Sequence, residues 1–194
     1  MVVYEHKQLP DIASIENEAD AMWFAMRVTY NREMKVKQML DCSNIINYLP
    51  MRHIVKYKYG KKVSIAQPAV RGLMFAYCSK PVMSQFKMKI PYFQYMTRKI
   101  GNKNIPIIVP DDEMNSFIKA TSMNESSIEF VNMESQDLTR GTTVKIHGGE
   151  LDGVVGKYMR VIGKRSKRLL VQVENIVAVA IDVSTLNSIE VLPL

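Results

Sequence analysis

The stretch TVKIHGGELDGVVGKYMRV, Thr143 to Val161, decides how the C-terminal third of this chain is read. An alternating run with Val144 and Ile146 on one side leads into Gly148-Gly149, Leu151 follows, and Gly153 and Gly156 precede a second β-like run. Alternation places every second side chain on one face of a strand. The glycines permit the bends at which a small sheet turns its corner. Val144, Ile146, Leu151 and Val155 are therefore expected to face a core, with Gly148, Gly149, Gly153 and Gly156 shaping the loop between two strands. A β-turn with no partner would explain the glycines alone.

On the C-terminal side, Leu169 to Val173, Val177 to Val183 and Ile189 to Leu192 are further short runs rich in β-branched residues. Several strands in so short a segment point to a small closed all-β barrel over 138–194, because closure hides strand edges. Their β-branched alternation disfavours helix. On the N-terminal side, 122–137 is acidic and rich in Ser and Asn, and reads as a linker.

The segment 21–121 has a different texture. WFAMRVTY (Trp23 to Tyr30) reads as a strand with Trp23, Ala25 and Arg27 on one face and Phe24, Met26 and Val28 on the other. Asn31 is placed to cap a following helix, with Glu33 in its first turn and Val36, Met39, Leu40 and Ile46 carrying a helical period to about residue 47. Tyr48-Leu49-Pro50 ends it, and a basic strand and long hairpin with Arg52, Lys56, Lys58, Lys61 and Lys62 around Gly60 come next. RGLMFAYC (Arg71 to Cys78), between Pro68 and Pro81, reads as a central strand. A broken helix is expected around Met83 to Lys89, and IPIIVP (Ile105 to Pro110) is short and β-like. Asp111, Asp112 and Glu113 then load a helix N-terminus with negative charge, and Met114, Phe117 and Ile118 give that helix an apolar side. The first 20 residues are polar, acidic and aperiodic, and are expected to form a mobile extension.

Charge separates along these boundaries. The net value of +7 divides into −4 over 1–20, +12 over 21–121, −4 over 122–137 and +3 over 138–194. A basic block between acidic segments suits a nucleic-acid surface, the alternative being a solvated basic face. No run of about 18 apolar residues suggests a membrane span, and two distant cysteines, Cys42 and Cys78, suit a reducing cytoplasm.

Chemistry is hard to find. There is no GxxxxGK[ST] string, no GxGxxG and no Gly-x-Ser-x-Gly elbow. His6, His53 and His147 lack metal-ligand spacing, and adjacent Asp111, Asp112 and Glu113 point in different directions on a helix. No enzyme, cofactor or metal site is expected.

The glycine-centred segment resembles the KOW motif of NusG-like proteins and some ribosomal proteins. Trp23-Phe24, then Arg32-Glu33-Met34-Lys35-Val36, Tyr48-Leu49-Pro50 and Gly72-Leu73-Met74-Phe75 are similar in order and spacing to the NusG N-terminal domain. The resemblance spans roughly 22–193 and is nearest in flavour to the specialised RfaH- and UpxY-type paralogues of Bacteroides-type bacteria. It departs at Val70-Arg71-Gly72-Leu73, where the family usually carries Phe-Pro-Gly-Tyr.

The resemblance implies an α+β protein, an NGN-type α/β sandwich followed by an SH3-like KOW barrel. It implies a cytoplasmic, monomeric, non-catalytic antitermination factor that binds the clamp region of RNA polymerase and suppresses pausing or termination at specific operons such as polysaccharide loci. The polymerase pocket would be Val70, Leu73, Phe75, Met114 and Phe117, expected to be open in the free protein, with a charge at Phe117 or Leu73 expected to abolish polymerase binding without loss of the fold; interior packing is the alternative. Non-template or upstream DNA, or nascent RNA, would meet Arg32 and Lys35, which sit three apart and share a helix face, with Tyr30 stacking on an unpaired base and the hairpin lysines as weaker candidates. The barrel would recruit a ribosomal protein or a termination factor. Two rivals share the barrel, a housekeeping NusG and a ribosome-associated RNA-binding KOW protein.

Overall fold

A computed structural model describes residues 20–123, 128–131, 141–160, 167–182 and 188–192. Most of the expected extension, parts of the expected linker and Val161 and Val183 lie outside these residues.

The N-terminal unit opens with β1 (Ala21–Val28) and α1 (Glu33–Cys42), then β2 (Ile46–Tyr48), β3 (Met51–Lys58), β4 (Lys61–Pro68), β5 (Leu73–Ser79) and α2 (Lys80–Met88). It continues through β6 (Phe93–Tyr95), β7 (Thr97–Ile100), β8 (Lys103–Pro106), β9 (Ile108–Val109) and α3 (Asp111–Thr121). The main sheet runs β2-β5-β1-β6, with β9 also paired to β1, so β1 and β5 are its buried centre. The two faces divide as alternation dictates. Phe24, Met26 and Val28 pack with Val36 and Leu40 of α1 and Met83 of α2, whereas Trp23 and Ala25 lie with Leu73, Phe75, Met114 and Phe117 beneath α3.

The first helix is shorter than its apolar period suggests. Tyr30 and Asn31 are left-handed (φ 64° and 53°), so Arg32 rather than Asn31 stands at the cap position. Left-handed Asn44 (φ 54°) ends the helix and releases Ile46 into a strand beside β5. Glu33 serves a further purpose. It is buried, and its carboxylate accepts the Gly72 N–H at 2.7 Å, tying α1 to the turn ahead of β5. Gly72 has φ +73°, and a Cβ there would sit 2.9 Å from the Val28 carbonyl oxygen. α2 starts at Lys80, with Pro81 in its first turn, where a missing N–H costs nothing.

The C-terminal unit is a six-stranded antiparallel sheet in the order β10-β14-β13-β12-β11-β15. Its strands are β10 (Ile128–Val131), β11 (Thr142–His147), β12 (Val155–Arg160), β13 (Lys167–Val173), β14 (Val177–Asp182) and β15 (Ser188–Val191). One departure from expectation is β10. It lies in the stretch read as linker and pairs with β14, Phe130 opposite Val179, so the acidic segment contributes an edge to the sheet. Among the described residues β10 and β15 end the sheet without pairing to each other, so the strands form a sheet that does not close on itself. The loop after β11 carries Gly148 and Gly149 with positive φ, and Gly148 donates its N–H to Asp152 at 2.7 Å. That hydrogen bond holds the Asp152 carboxyl below its ordinary range. Val144, Ile146 and Leu151 are buried as expected, but Val155 is 37% exposed and Val154 takes the inward position. The two consecutive valines fit alternation in either register, and the loop decides between them.

Candidate functional site

Two features of the N-terminal unit can meet a partner. The first is the corner between β1 and α1. Tyr30 is 80% exposed although large and aromatic, and it belongs to a consecutive pair of non-glycine residues in the left-handed region. Such strain costs on the order of 1 kcal/mol per residue and gathers at functional positions. The Arg32 guanidinium lies 5.6 Å from the Tyr30 ring centroid and 4.5 Å from that of Tyr92. A cation over two aromatic rings gives an exposed aromatic-cationic surface of the kind on which a base can stack. Lys35 is exposed one turn along the helix. The structure thus places Tyr30, Arg32 and Lys35 at one corner and adds Tyr92, which arrives from the loop before β6. Nothing near Tyr92 in sequence signals this, because the contact closes across the sheet.

The second feature is α3, and here the structure corrects the sequence. Leu73, Phe75, Met114 and Phe117 do not line an open pocket; all are buried, and Val70 is partly buried against the same cluster. Phe117 meets Phe75 edge-on at 6.0 Å and Tyr48 at 6.3 Å, so the rings form the layer between sheet and helix. Helical geometry puts Met114, Phe117 and Ile118 on that inner side and Glu113, Ser116 and Lys119 elsewhere around the helix. These polar residues meet the C-terminal sheet. Glu113 accepts the Glu174 N–H at 2.7 Å, the Ser116 hydroxyl accepts the Val155 N–H at 3.3 Å, and Lys119 donates to the Asp152 carbonyl oxygen. Arg98 pairs with the Glu174 carboxylate at 3.2 Å. The apolar cluster is continuous across this contact, joining Phe117 and Met114 to Leu169, Val171, Val173, Val177 and Val179. The expected open pocket is therefore not what is found, because these side chains close the layer between the main sheet and α3, while the polar side of the helix meets the second unit.

Electrostatics at the contact are mixed. Burial, foremost, pushes the Glu113 carboxyl above its ordinary range, the Glu174 N–H opposes the shift, and the negative charges of Glu174 and Asp112 add to it. Left-handed Glu174 (φ 46°) is the turn residue that aims its N–H at Glu113. Glu113, Ser116 and Lys119 stand three apart, a spacing that a solvated helix face shows equally well; they become a docking face only because a second sheet lies against them.

Among the described residues no group of three or more His, Cys, Asp or Glu side chains could hold a metal ion. No described helix is long and apolar enough to cross a membrane.

The N-terminal α/β unit thus carries an exposed aromatic-cationic corner and bears a β-sheet unit on its last helix. The family described as transcription termination factor nusG matches residues 21–118, just over half of the chain, and the chain belongs to that family. It is thereby a NusG-like member of a transcription elongation and termination family. Among solved structures, one described as "Domain interaction in Thermotoga maritima NusG" is similar at 15% identity over 86% of this chain and 96% of that chain, with a TM-score of 0.44. The search of curated proteins found no match.

Proposed function

We propose that this protein is a transcription elongation and antitermination factor that binds the clamp region of RNA polymerase through its N-terminal unit and acts at specific operons, such as those for polysaccharide synthesis. One observation supports this above others. The family match ends inside α3, so it spans the central sheet, the Tyr30–Arg32 corner and the helix on which the C-terminal unit rests.

In this reading Val70, Leu73, Phe75, Met114 and Phe117 build and back the clamp-binding face. The C-terminal sheet covers its outer side in the free chain and leaves on engagement, so clamp affinity is lowered by the free energy of separating the units. A factor that favours the closed clamp raises that state's occupancy by its differential affinity, and no bond is made or broken. Tyr30, Arg32 and Lys35 hold an unpaired non-template base and its phosphates, with stacking worth about 1–3 kcal/mol per base. The C-terminal unit, a KOW barrel in this reading, recruits a second protein once released, a ribosomal protein or a termination factor.

The test is affinity purification of the tagged full chain, followed by mapping of its genomic occupancy. RNA polymerase subunits should co-purify, and occupancy should fall on a few operons. Occupancy across most transcribed genes would instead mark a housekeeping member, and recovery of ribosomes without polymerase would overturn the reading. An Arg32→Ala/Lys35→Ala variant should bind more weakly to an elongation complex with exposed non-template DNA, by a factor that shrinks as salt rises.

A further inference from the structure

A third surface of the N-terminal unit lies on the face of the main sheet opposite α3, where α1 and α2 cover Phe24, Met26 and Met74. The two helices leave between them a groove of about 390 Å³, lined by Met39, Phe86 and Ile90, with Cys42 on one side and Lys89 on the other. Met39 and Cys42 stand three apart and so share one side of α1, while Phe86 and Lys89 do the same at the end of α2. The charge around the groove is of one sign. No Asp or Glu stands between Asp41 and Asp111 in the sequence, whereas Lys80 and Lys89, at the two ends of α2, are exposed. Among the described residues no carboxylate pairs with either lysine. Lys80 also opens a helix whose first turn holds no acid, so it opposes the helix dipole and gains from a nearby anion.

The counter-charge is present in the same chain. Residues 1–20 hold Glu5, Asp11, Glu16, Glu18 and Asp20 against Lys7, a net −4, together with the apolar Leu9, Ile12 and Ile15. Their point of attachment is beside α2. Ala21 pairs with Ser79, the residue just ahead of Lys80, so the segment joins the sheet about 5 Å from where α2 begins. From Lys80 to Ile90 is about 15 Å along a helix at ~1.5 Å per residue, a span that about five extended residues cover at ~3.3 Å each. Ile15 stands five residues ahead of Asp20, within that reach.

We infer that the groove between α1 and α2 binds the chain's own acidic N-terminal segment, with Ile12 and Ile15 meeting Met39, Phe86 and Ile90 while the acids from Glu16 to Asp20 meet Lys89 and Lys80. Apolar burial supplies the affinity, and the charges fix which segment is taken. Tethering makes even a weak contact effective. A short tether holds its segment at an effective concentration of about 1 mM, so a Kd of about 100 µM for the separate segment gives roughly tenfold protection of the groove. The contact is made within one chain and rests on neither the clamp reading nor the base-stacking corner.

Cys42 supplies the readout, because it is exposed beside the groove while Cys78, the other cysteine of the chain, is buried. The rate of Cys42 alkylation by iodoacetamide, an uncharged reagent, is followed by mass spectrometry in the native full chain and its variants. Cys78 left unlabelled is the check that each variant is folded. Ile12→Ser/Ile15→Ser changes no charge and should raise the Cys42 rate roughly tenfold, the protection that tethering gives. A synthetic peptide of residues 1–20 added to that variant should restore slow alkylation, saturating at about 100 µM or above. Glu16→Lys/Asp20→Lys and Lys80→Glu/Lys89→Glu should each release the segment, and the two pairs combined should bring the rate back toward the native one. A native rate equal to that of Ile12→Ser/Ile15→Ser would overturn the inference, as would a peptide that gives no protection. So would protection that grows with protein concentration, which would put a second copy of the chain in the groove.

Discussion

Removal of the Glu113 carboxylate should open the contact between the two units while leaving each folded. Glu113 accepts the Glu174 N–H at 2.7 Å across the contact, and Glu113→Ala leaves that partly buried donor without a partner. A fully buried unpaired donor costs about 1–3 kcal/mol, so a partly buried one costs about 1–2 kcal/mol, a factor of roughly 5 to 30 in the docking equilibrium. The assay is amide hydrogen exchange followed by NMR. The Glu174 and Val155 amides both donate to α3 side chains, so both should exchange faster by that factor, while amides in the middle of β5 keep their protection. Glu113→Gln should behave differently, because it keeps an acceptor and removes the charge that Glu174 and Asp112 repel. The sign of the pH dependence follows. The folded carboxyl titrates above its ordinary value of 4.5, so its favourable contribution is complete below that value and is lost as pH rises through the raised one. Docking in the native chain should loosen as pH rises above 4.5 through the raised value, and Glu113→Gln should flatten that trend. Unaltered exchange of Glu174 and Val155 in the alanine variant would refute the reasoning and show that apolar packing alone holds the units together.

Two further outcomes follow from packing. Phe117 is fully buried between Phe75 and Tyr48, so Phe117→Asp should lower unfolding stability by at least about 3 kcal/mol in urea denaturation, and an unchanged midpoint would return the residue to the surface. Gly72→Ala meets a left-handed backbone and a carbonyl oxygen 2.9 Å away, so it should destabilise the N-terminal unit by about 1–3 kcal/mol and lower its melting temperature; an unshifted melt would mean that the turn is not needed to place β5.

Sequence alone determined most of the local structure. Alternation in Trp23 to Val28 sorted two apolar faces correctly, the acids at 111–113 marked the start of a helix, and the β-branched runs beyond residue 140 marked strands, because each of these signals repeats within a few residues. It also put Arg32 and Lys35 at the start of one helix, just after Tyr30, and it named the hairpin lysines without showing which of them share a face. Tertiary structure decided everything that depends on what lies opposite. Ile46 left its helical period for a strand because β5 offered a hydrogen-bonding edge, and 128–131 became a strand for the same reason beside β14. Met114 and Phe117 have the sequence of an apolar helix side whether that side meets solvent, a partner or the chain's own sheet. Only the fold shows it closed against Phe75, with Glu113, Ser116 and Lys119 gripping the second unit, since burial belongs to surfaces brought together from far apart in the chain and no local pattern encodes which surface arrives.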